Sequence, residues 1–187
     1  MKRFMFLLPL LFVVMPVLAS PGAGMTLRVA AGDGHGHVRR HFVYARCGGD
    51  NVSPPVHWKD APAATRSFVL TTFDSDANQG AGWWHWVVID LPASTAGLGQ
   101  GASLPAGARS LRNDFGRFGW GGPCPPAGDP AHHYVFTVYA LNVARLPLPA
   151  GIAGAGTPSH ARACTGQGHG DVSLRPLNQR DACQACA

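Results

Sequence analysis

Residues 120–134 read Trp120-Gly-Gly-Pro-Cys-Pro-Pro-Ala-Gly-Asp-Pro-Ala-His-His-Tyr134 and lead directly into the apolar segment Tyr134–Leu141. Three glycines and four prolines are incompatible with a helix or a central strand, because proline lacks the backbone donor and glycine leaves the chain unconstrained. The stretch therefore predicts a shaped surface turn that brings His132 and His133 to the end of a strand. Two interpretations remain open: a small-molecule site whose glycine amides bind an anion, or a connector with solvated histidines.

Three nearly continuous apolar segments predict the main strands: residues 67–73, residues 84–89 and Tyr134–Leu141. Each is rich in β-branched or aromatic residues, which is typical of a strand covered on both faces. Shorter strand-like segments lie at residues 25–29 and 41–45. No segment of comparable length has helical periodicity, and glycine and proline are abundant. The sequence therefore predicts a mainly β fold, an antiparallel β-sandwich of two packed sheets.

The N-terminus has the pattern of an export signal. Two basic residues precede an apolar run at residues 4–18, and the run is too short to span a bilayer comfortably. Its end, Val17-Leu18-Ala19, fits a signal-peptidase site. We therefore expect residues 1–19 to be a signal peptide and the mature protein to be periplasmic or secreted. An uncleaved N-terminal anchor is the alternative.

The composition predicts one folded domain and argues against a nucleic-acid partner. At 187 residues the chain is long enough to bury a core. Its formal net charge of +5 is not concentrated in basic runs interleaved with aromatic residues, so we expect no nucleic-acid partner and at most peripheral membrane contact. Beyond residue 153 the apolar periodicity ends. We therefore expect a domain at residues 24–153 and an atypical, weakly ordered tail at residues 154–187.

Several motifs in a fixed order resemble the phosphatidylethanolamine-binding protein family, in the bacterial branch often labelled Raf-kinase-inhibitor-like. Besides residues 120–134, they are Cys47-Gly-Gly-Asp-Asn-Val-Ser-Pro-Pro-Val-His-Trp58, Ala61-Pro-Ala-Ala-Thr-Arg-Ser-Phe-Val-Leu70, Phe73-Asp-Ser-Asp-Ala-Asn-Gln-Gly-Ala-Gly-Trp-Trp-His-Trp-Val-Val-Ile-Asp90 and Tyr139-Ala-Leu141. The resemblance covers residues 25–149 and implies a β-sandwich with one or two short helices. The family normally ends in a helix and a final strand, of which Gln167-Gly-His169 retains only a trace.

The resemblance also implies a pocket for small anions and phosphoryl head groups. Carried over by motif, its ligand-binding residues are Asp74, His85, Gly121, Gly122, Pro125, His132 and Tyr134. Imidazole N–H groups and backbone amides would donate hydrogen bonds to phosphate oxygens, and Asp74 would orient a histidine or accept from an ammonium group. A structural, hydrogen-bonded core histidine is the alternative for His85.

The chain departs from the family pattern at three positions. Ser75 replaces a proline and Asn78 stands where a second proline is common, so we expect a looser carboxylate-bearing loop. His133 replaces the arginine of the His-Arg-Tyr signature, which removes a fixed positive charge.

The five cysteines are an odd number for an oxidising compartment. Cys47 and Cys124 each lie beside a motif and could form a disulfide. Cys183-Gln-Ala-Cys186 has the spacing of a redox or zinc motif but lacks the surrounding pattern of either. We expect neither a cofactor nor a metal ion.

Three functions are compatible with these residues. The first is a binding protein for a small anionic ligand such as phosphate or phosphorylethanolamine, which is not an enzyme and which regulates or inhibits an unidentified protein by family analogy. The second is a metal-dependent hydrolase that uses Asp74, Asp76, His85 and His132, because two histidines and a carboxylate are a legitimate ligand set. The third is a surface inhibitor of a protease or kinase that needs no ligand.

Export gives the first testable prediction. We expect the mature protein to begin near Ser20 and to be recovered from the periplasm or the medium, because the N-terminal pattern matches a cleaved signal. Intact-mass measurement of the purified protein checks the mature N-terminus. A soluble protein that retains residues 1–19 would contradict the prediction.

Overall fold

The computed structural model describes residues 25–148 and, for the backbone, residues 164–170. Within these ranges the chain forms the strands β1 (Thr26–Val29), β2 (Val56–Lys59), β3 (Ser67–Asp74), β4 (Trp83–Pro92), β5 (Gly97–Leu98), β6 (Arg109–Ser110), β7 (Tyr134–Leu141) and β8 (Cys164–Gly170). Residues 25–148 also contain the short 3₁₀ turns Arg40–Phe42, Ala45–Cys47 and Asn78–Gly80. Strands therefore dominate the described part of the chain, as the sequence predicts.

The strands form two antiparallel sheets, which confirms the predicted fold class. One sheet has the order β1-β2-β5, and the other has the order β6-β4-β3-β7-β8. Strand β3 is central in the larger sheet, where it pairs with β4 on one side and with β7 on the other. Its last residue, Asp74, is consequently opposite Trp83 of β4 and Tyr134 of β7. This register brings three segments of the candidate site to one end of the sheet.

Both faces of the larger sheet are covered, as expected for such apolar strands. Phe68 and Leu70 of β3 belong to the core that includes Val56 and Trp58 of the smaller sheet. Because side chains alternate along a strand, the intervening Val69 packs in a second cluster on the opposite face. The alternation produces two separate apolar layers from one nearly continuous apolar run.

Residues 41–45 do not form the strand that their pattern indicates. They lie in and between the 3₁₀ turns Arg40–Phe42 and Ala45–Cys47, and the amide of Val43 donates to the carbonyl of Arg40. Phe42 is nevertheless buried in the core. The apolar pattern correctly marks burial, but a tight turn buries these side chains as well as a strand does.

Strand β8 lies inside residues 154–187, where the composition predicts weak order. It pairs antiparallel with β7, from Leu141 opposite Cys164 to Phe136 opposite Gly170. A strand at the edge of a sheet is held by main-chain hydrogen bonds, so a glycine-rich segment can form one without apolar side chains.

The weak order predicted for the rest of the tail, and the signal peptide at residues 1–19, lie outside the described residues. In the described part of the chain, no helix is both long and apolar enough to span a membrane.

The loop at residues 120–124 packs tightly on residues 42–51. The indole N–H of Trp120 donates to the carbonyl of Phe42 over 3.0 Å, and the amide of Gly122 donates to Asn51 Oδ1 over 2.8 Å. A Cβ atom on Gly122 would lie 2.2 Å from the Phe42 oxygen, so only glycine fits there. Cys47 and Cys124 form a disulfide across the same contact, with their Cα atoms 5.6 Å apart.

Removal of this disulfide gives the second prediction. We expect the variant Cys47→Ala/Cys124→Ala to lose about 3–5 kcal/mol of unfolding free energy, because the bond restricts a long loop of the unfolded chain. The bonded residues are 77 positions apart. Urea unfolding of the oxidised protein and the variant measures the loss, and a reductant should not destabilise the variant further. Peptide mapping that finds both thiols free under oxidising conditions would refute the pairing.

Candidate functional site

A cavity of ≈ 310 Å³ opens where β3 ends and β4 begins, beside the loop at residues 120–134. Its lining residues are Asp74, Ala77, Asn78, Trp83, His85, Phe115, Cys124, Pro125, Pro126, Asp129 and His132. The volume is at the lower end of the range for small-molecule sites. The wall combines the apolar rings of Trp83, Phe115, Pro125 and Pro126 with a small set of polar side chains. This combination is typical of a site that orients a small ligand by a few defined contacts.

Asp74 organises the inner wall of the cavity. Its side chain is 3% exposed at the last position of β3. Oδ1 accepts the amides of Asp76 and Ala77 over 3.0 and 3.1 Å, and Oδ2 accepts Nδ1–H of His132 over 2.8 Å. Burial raises the pKa of Asp74, but the interactions with His85 and His132 and the Asp76 amide outweigh it, so the net pKa lies below the ordinary value. Asp74 is therefore ionised at neutral pH.

His85 is held by the backbone of the glycine-rich turn. Its Nδ1 lies 2.5 Å from the carbonyl oxygen of Gly121, and the amide of Gly121 donates to the backbone carbonyl of His85 over 2.9 Å. The side chain is 3% exposed, and its Nε2 lies 3.8 Å from Asp74 Oδ2. That distance is too long for a hydrogen bond but short enough for electrostatic attraction when the ring is protonated.

His132 lies between two carboxylates. Its Nδ1 is bonded to Asp74, whereas its Nε2 is 3.5 Å from Asp129 Oδ2. The His132 side chain is 4% exposed and that of Asp129 is 44% exposed, so Asp129 is on the solvent side of the ring.

The two imidazole rings share one tautomer. A carbonyl oxygen and an ionised carboxylate only accept hydrogen bonds, so Nδ1 of both His85 and His132 carries the proton. Nε2 of each neutral ring is therefore an acceptor, and it becomes a donor only when the ring gains a second proton. The cavity can consequently change from an acceptor site to a donor site by protonation.

Four predicted site residues line the cavity: Asp74, His85, Pro125 and His132. The other three, Gly121, Gly122 and Tyr134, are not among the lining residues.

These three residues instead support the groups that line the cavity. Gly121 positions His85, and Gly122 allows the close approach to residues 42–51. Tyr134 is 1% exposed, and its hydroxyl lies near Asp74 without a hydrogen bond of good geometry. Burial, together with the Asp74 charge, raises the pKa of Tyr134, so its hydroxyl stays protonated.

Asp76 does not share the face of Asp74, as it would if the strand continued. Strand β3 ends at Asp74, whose side chain bonds the next amides and turns the chain. Asp76 is exposed, and its Oδ2 lies 2.8 Å from Nδ1 of His133 and accepts the His133 amide. Of the four candidate metal ligands, Asp74, His85 and His132 therefore meet at the cavity, whereas Asp76 does not. Within residues 25–148, no group of three or more His, Cys, Asp or Glu side chains is placed to hold a metal ion.

Sequence reasoning missed several lining residues, among them Trp83, Phe115 and Asp129. Trp83 is two positions before His85 on β4, and the period of two along a strand would have placed both on one face. Asp129 lies inside the glycine–proline turn, and the motifs do not mark it as a ligand contact. Phe115 had no recognisable signal, because its position depends on a hairpin in which Asn113 bonds the Arg117 backbone.

Comparison with known proteins relates the chain and its fold to one family. The family model described as phosphatidylethanolamine-binding protein matches residues 30–166. The UPF0098 protein YbhB of Escherichia coli K12 is 46% identical over 126 residues, which are 65% of this chain and 77% of YbhB. YbcL of the same strain is 46% identical over 115 residues, which are 58% of this chain and 63% of YbcL.

Two solved structures have the same fold. The crystal structure of Escherichia coli YbcL, described as a new member of the mammalian PEBP family, superposes with a TM-score of 0.73 and 34% identity, covering 83% of this chain and 98% of that one. The homologue CT736 of Chlamydia trachomatis superposes with a TM-score of 0.67 and 26% identity, covering 82% of this chain and 95% of that one. The chain belongs to the phosphatidylethanolamine-binding protein family.

Proposed function

We propose that the protein is an exported, non-catalytic binding protein whose cavity takes a phosphate or phosphoryl group. The observation that carries the proposal is the pair of buried imidazoles, His85 and His132, which line one small cavity and have Nε2 unused by strong protein hydrogen bonds. Membership of the family supports a binding protein of this kind. Export rests on the N-terminal pattern, and regulation of another protein rests on family analogy alone.

Charge and size favour a phosphoryl group over a larger anion. A protonated imidazole forms a short, charge-assisted hydrogen bond to an anionic oxygen, and two such donors match two oxygens of one tetrahedral group. The ionised Asp74 accepts Nδ1–H of His132 and so leaves Nε2 of that ring for a ligand. A cavity of ≈ 310 Å³ holds a head group but not a lipid chain.

The two histidines provide the third prediction. We expect His85→Ala and His132→Ala each to weaken binding of inorganic phosphate about tenfold or more, because each loses a charge-assisted hydrogen bond worth roughly 1.5–3 kcal/mol. Titration calorimetry measures the affinities. The control is His35→Ala, which changes an exposed loop residue and should leave affinity unchanged. Equal affinities for all three variants, or binding that a chelator abolishes, would refute the proposed site.

Proton linkage provides the fourth prediction. Because each Nε2 is an acceptor in the neutral ring, an anion must bind together with a proton, and affinity should rise as pH falls through the histidine range. Sulfate is a suitable probe because its charge is constant there. The pKa of Asp74 is lowered, so Asp74 stays ionised over this range and does not cause the change.

Calorimetry in buffers of different ionisation enthalpy counts the protons taken up. At pH values where both rings are neutral, the affinity should fall about tenfold for each unit by which the pH rises, for each proton taken up on binding. Affinity and proton uptake that do not change between about pH 5 and pH 8 would contradict the proposed role of the imidazoles.

A further inference from the structure

The motif at residues 47–58 contains a side chain that acts on the cavity from outside it. Asn51 is not among the lining residues, but its half-buried amide bonds the glycine-rich turn at two points. Nδ2 donates to the carbonyl of Trp120 over 3.2 Å, and Oδ1 accepts the amide of Gly122 over 2.8 Å. Between these points lies Gly121, whose carbonyl accepts Nδ1–H of His85. The Asn51 side chain is therefore committed to the turn that orients this histidine.

Peptide planarity gives the Gly121 carbonyl a fixed direction. In a trans peptide, the N–H of Gly122 and the C=O of Gly121 point in opposite directions in one plane. Because Gly122 donates towards Asn51, the carbonyl of the same peptide points away from Asn51 and towards the ring of His85. In the preceding peptide the Trp120 carbonyl is bonded to Asn51, and the amide on the opposite side donates to the backbone carbonyl of His85. Asn51 thus holds one edge of the turn, and His85 occupies the other.

Asn51 is itself held in a defined backbone conformation. Its φ is 55°, in the left-handed region that asparagine tolerates better than most residues. Its amide donates to the carbonyl of Val43 over 2.9 Å. Glycine adopts the same φ without strain, so the side chain can be removed without a change of backbone.

Two acceptors compete for the proton of a neutral His85 ring. One is the Gly121 carbonyl at Nδ1, and the other is the ionised Asp74, whose Oδ2 lies 3.8 Å from Nε2. A ring with its proton on Nε2 would donate to Asp74 after a small movement. The rings of Phe115 and Tyr134 pack edge-to-face on the imidazole, with centroids 5.3 and 5.1 Å away. The tautomer therefore depends on whether the Gly121 carbonyl is held in place.

We propose that Asn51 is a positioning residue of the cavity, which fixes the Gly121 carbonyl and so keeps the proton of the neutral His85 ring on Nδ1. Without the two bonds from Asn51, the turn releases Nδ1, and Asp74 draws the proton to Nε2.

The consequence for a ligand rests on the proposed function. With Nε2 unprotonated, an anion at His85 binds only together with a proton, whereas the Nε2–H tautomer donates to an anion without one. The other titratable lining residues that the structure describes are Asp74, Asp129 and His132, and none of them is bonded to residues 120–122. Asn51 therefore makes anion binding at His85 depend on pH.

Nitrogen NMR of histidine-labelled mature protein, above the pH range in which the imidazoles titrate, measures the tautomer directly. In the unchanged protein the proton of His85 should be on Nδ1, and the signals are assigned by their loss in His85→Ala. In Asn51→Gly the proton should be on Nε2 in most molecules. Asn51→Asp keeps an acceptor for the Gly122 amide but loses the donor, so it should populate both tautomers. His132 should keep Nδ1–H in every variant and is the internal reference.

Calorimetry with sulfate in buffers of different ionisation enthalpy measures the consequence for binding. Where both rings are neutral, the unchanged protein should take up about two protons on binding and Asn51→Gly about one. The affinity of Asn51→Gly should accordingly change about tenfold less for each pH unit.

Ser67→Ala is the matched control, because the buried Ser67 hydroxyl donates to the carbonyl of Val143 over 2.6 Å and does not line the cavity. It removes a side-chain hydrogen bond to a carbonyl elsewhere in the fold, and it should keep both the His85 tautomer and the proton count. Asn51→Gly should differ from it in both.

A proton on Nε2 of His85 in the unchanged protein would by itself overturn the role of Asn51, whether or not the variants fold. An unaltered tautomer in the Asn51 variants, or a proton count equal to that of the unchanged protein, would overturn it as well. If sulfate does not bind the unchanged protein, or binds His85→Ala normally, the proposed function fails, and the tautomer still decides whether Asn51 positions His85.

Discussion

Burial of the Asp74 carboxylate is the constraint on which the candidate site depends. An ionised carboxylate is costly inside a protein unless hydrogen bonds replace its hydration. Asp74 meets that requirement with the amides of Asp76 and Ala77 on one oxygen and with His132 on the other. The same contacts end β3, turn the following loop away from the sheet and orient an imidazole. One buried charge therefore determines the backbone path and the position of a functional side chain.

The second histidine is positioned by backbone rather than by charge. His85 donates from Nδ1 to the carbonyl of Gly121, and that carbonyl is in place because the loop at residues 120–124 packs closely on residues 42–51. Gly122 permits the approach, since any side chain there would collide with the Phe42 carbonyl. The disulfide from Cys124 connects the same two segments. The ring of His85 is thus oriented by a contact between distant parts of the chain.

The resulting cavity lacks a fixed positive charge among the lining residues that the structure describes. Its two imidazoles contribute positive charge only when they are doubly protonated, and Asp74 and Asp129 stay close to His132 on opposite sides. Such a site responds to pH and to the charge distribution of the ligand more strongly than a site built on arginine. His133, which replaces the arginine of the family signature, is exposed and bonded to Asp76 outside the cavity. His133 itself does not line the cavity.

The sequence by itself determined the fold class, the three long strands and the residues that meet at the end of β3. Apolar runs of strand length indicated burial on both faces, and the spaced motifs indicated Asp74, His85 and His132. The strands are local features of residue type and spacing, whereas the meeting of Asp74, His85 and His132 is what the resemblance to the family implies.

Tertiary structure alone decided the features that depend on non-local contacts. Asp76 points outward because Asp74 accepts its amide. Asp129 reaches the cavity because its turn leads into His132, which is bonded to Asp74 58 positions earlier. Residues 41–45 form turns rather than a strand. Their apolar pattern cannot distinguish the two, because either backbone can bury the side chains. Strand β8 forms through main-chain hydrogen bonds to β7, which carry almost no signal in side-chain pattern. For Asp129 and β8 the deciding partner is distant in sequence, and no local pattern identifies it.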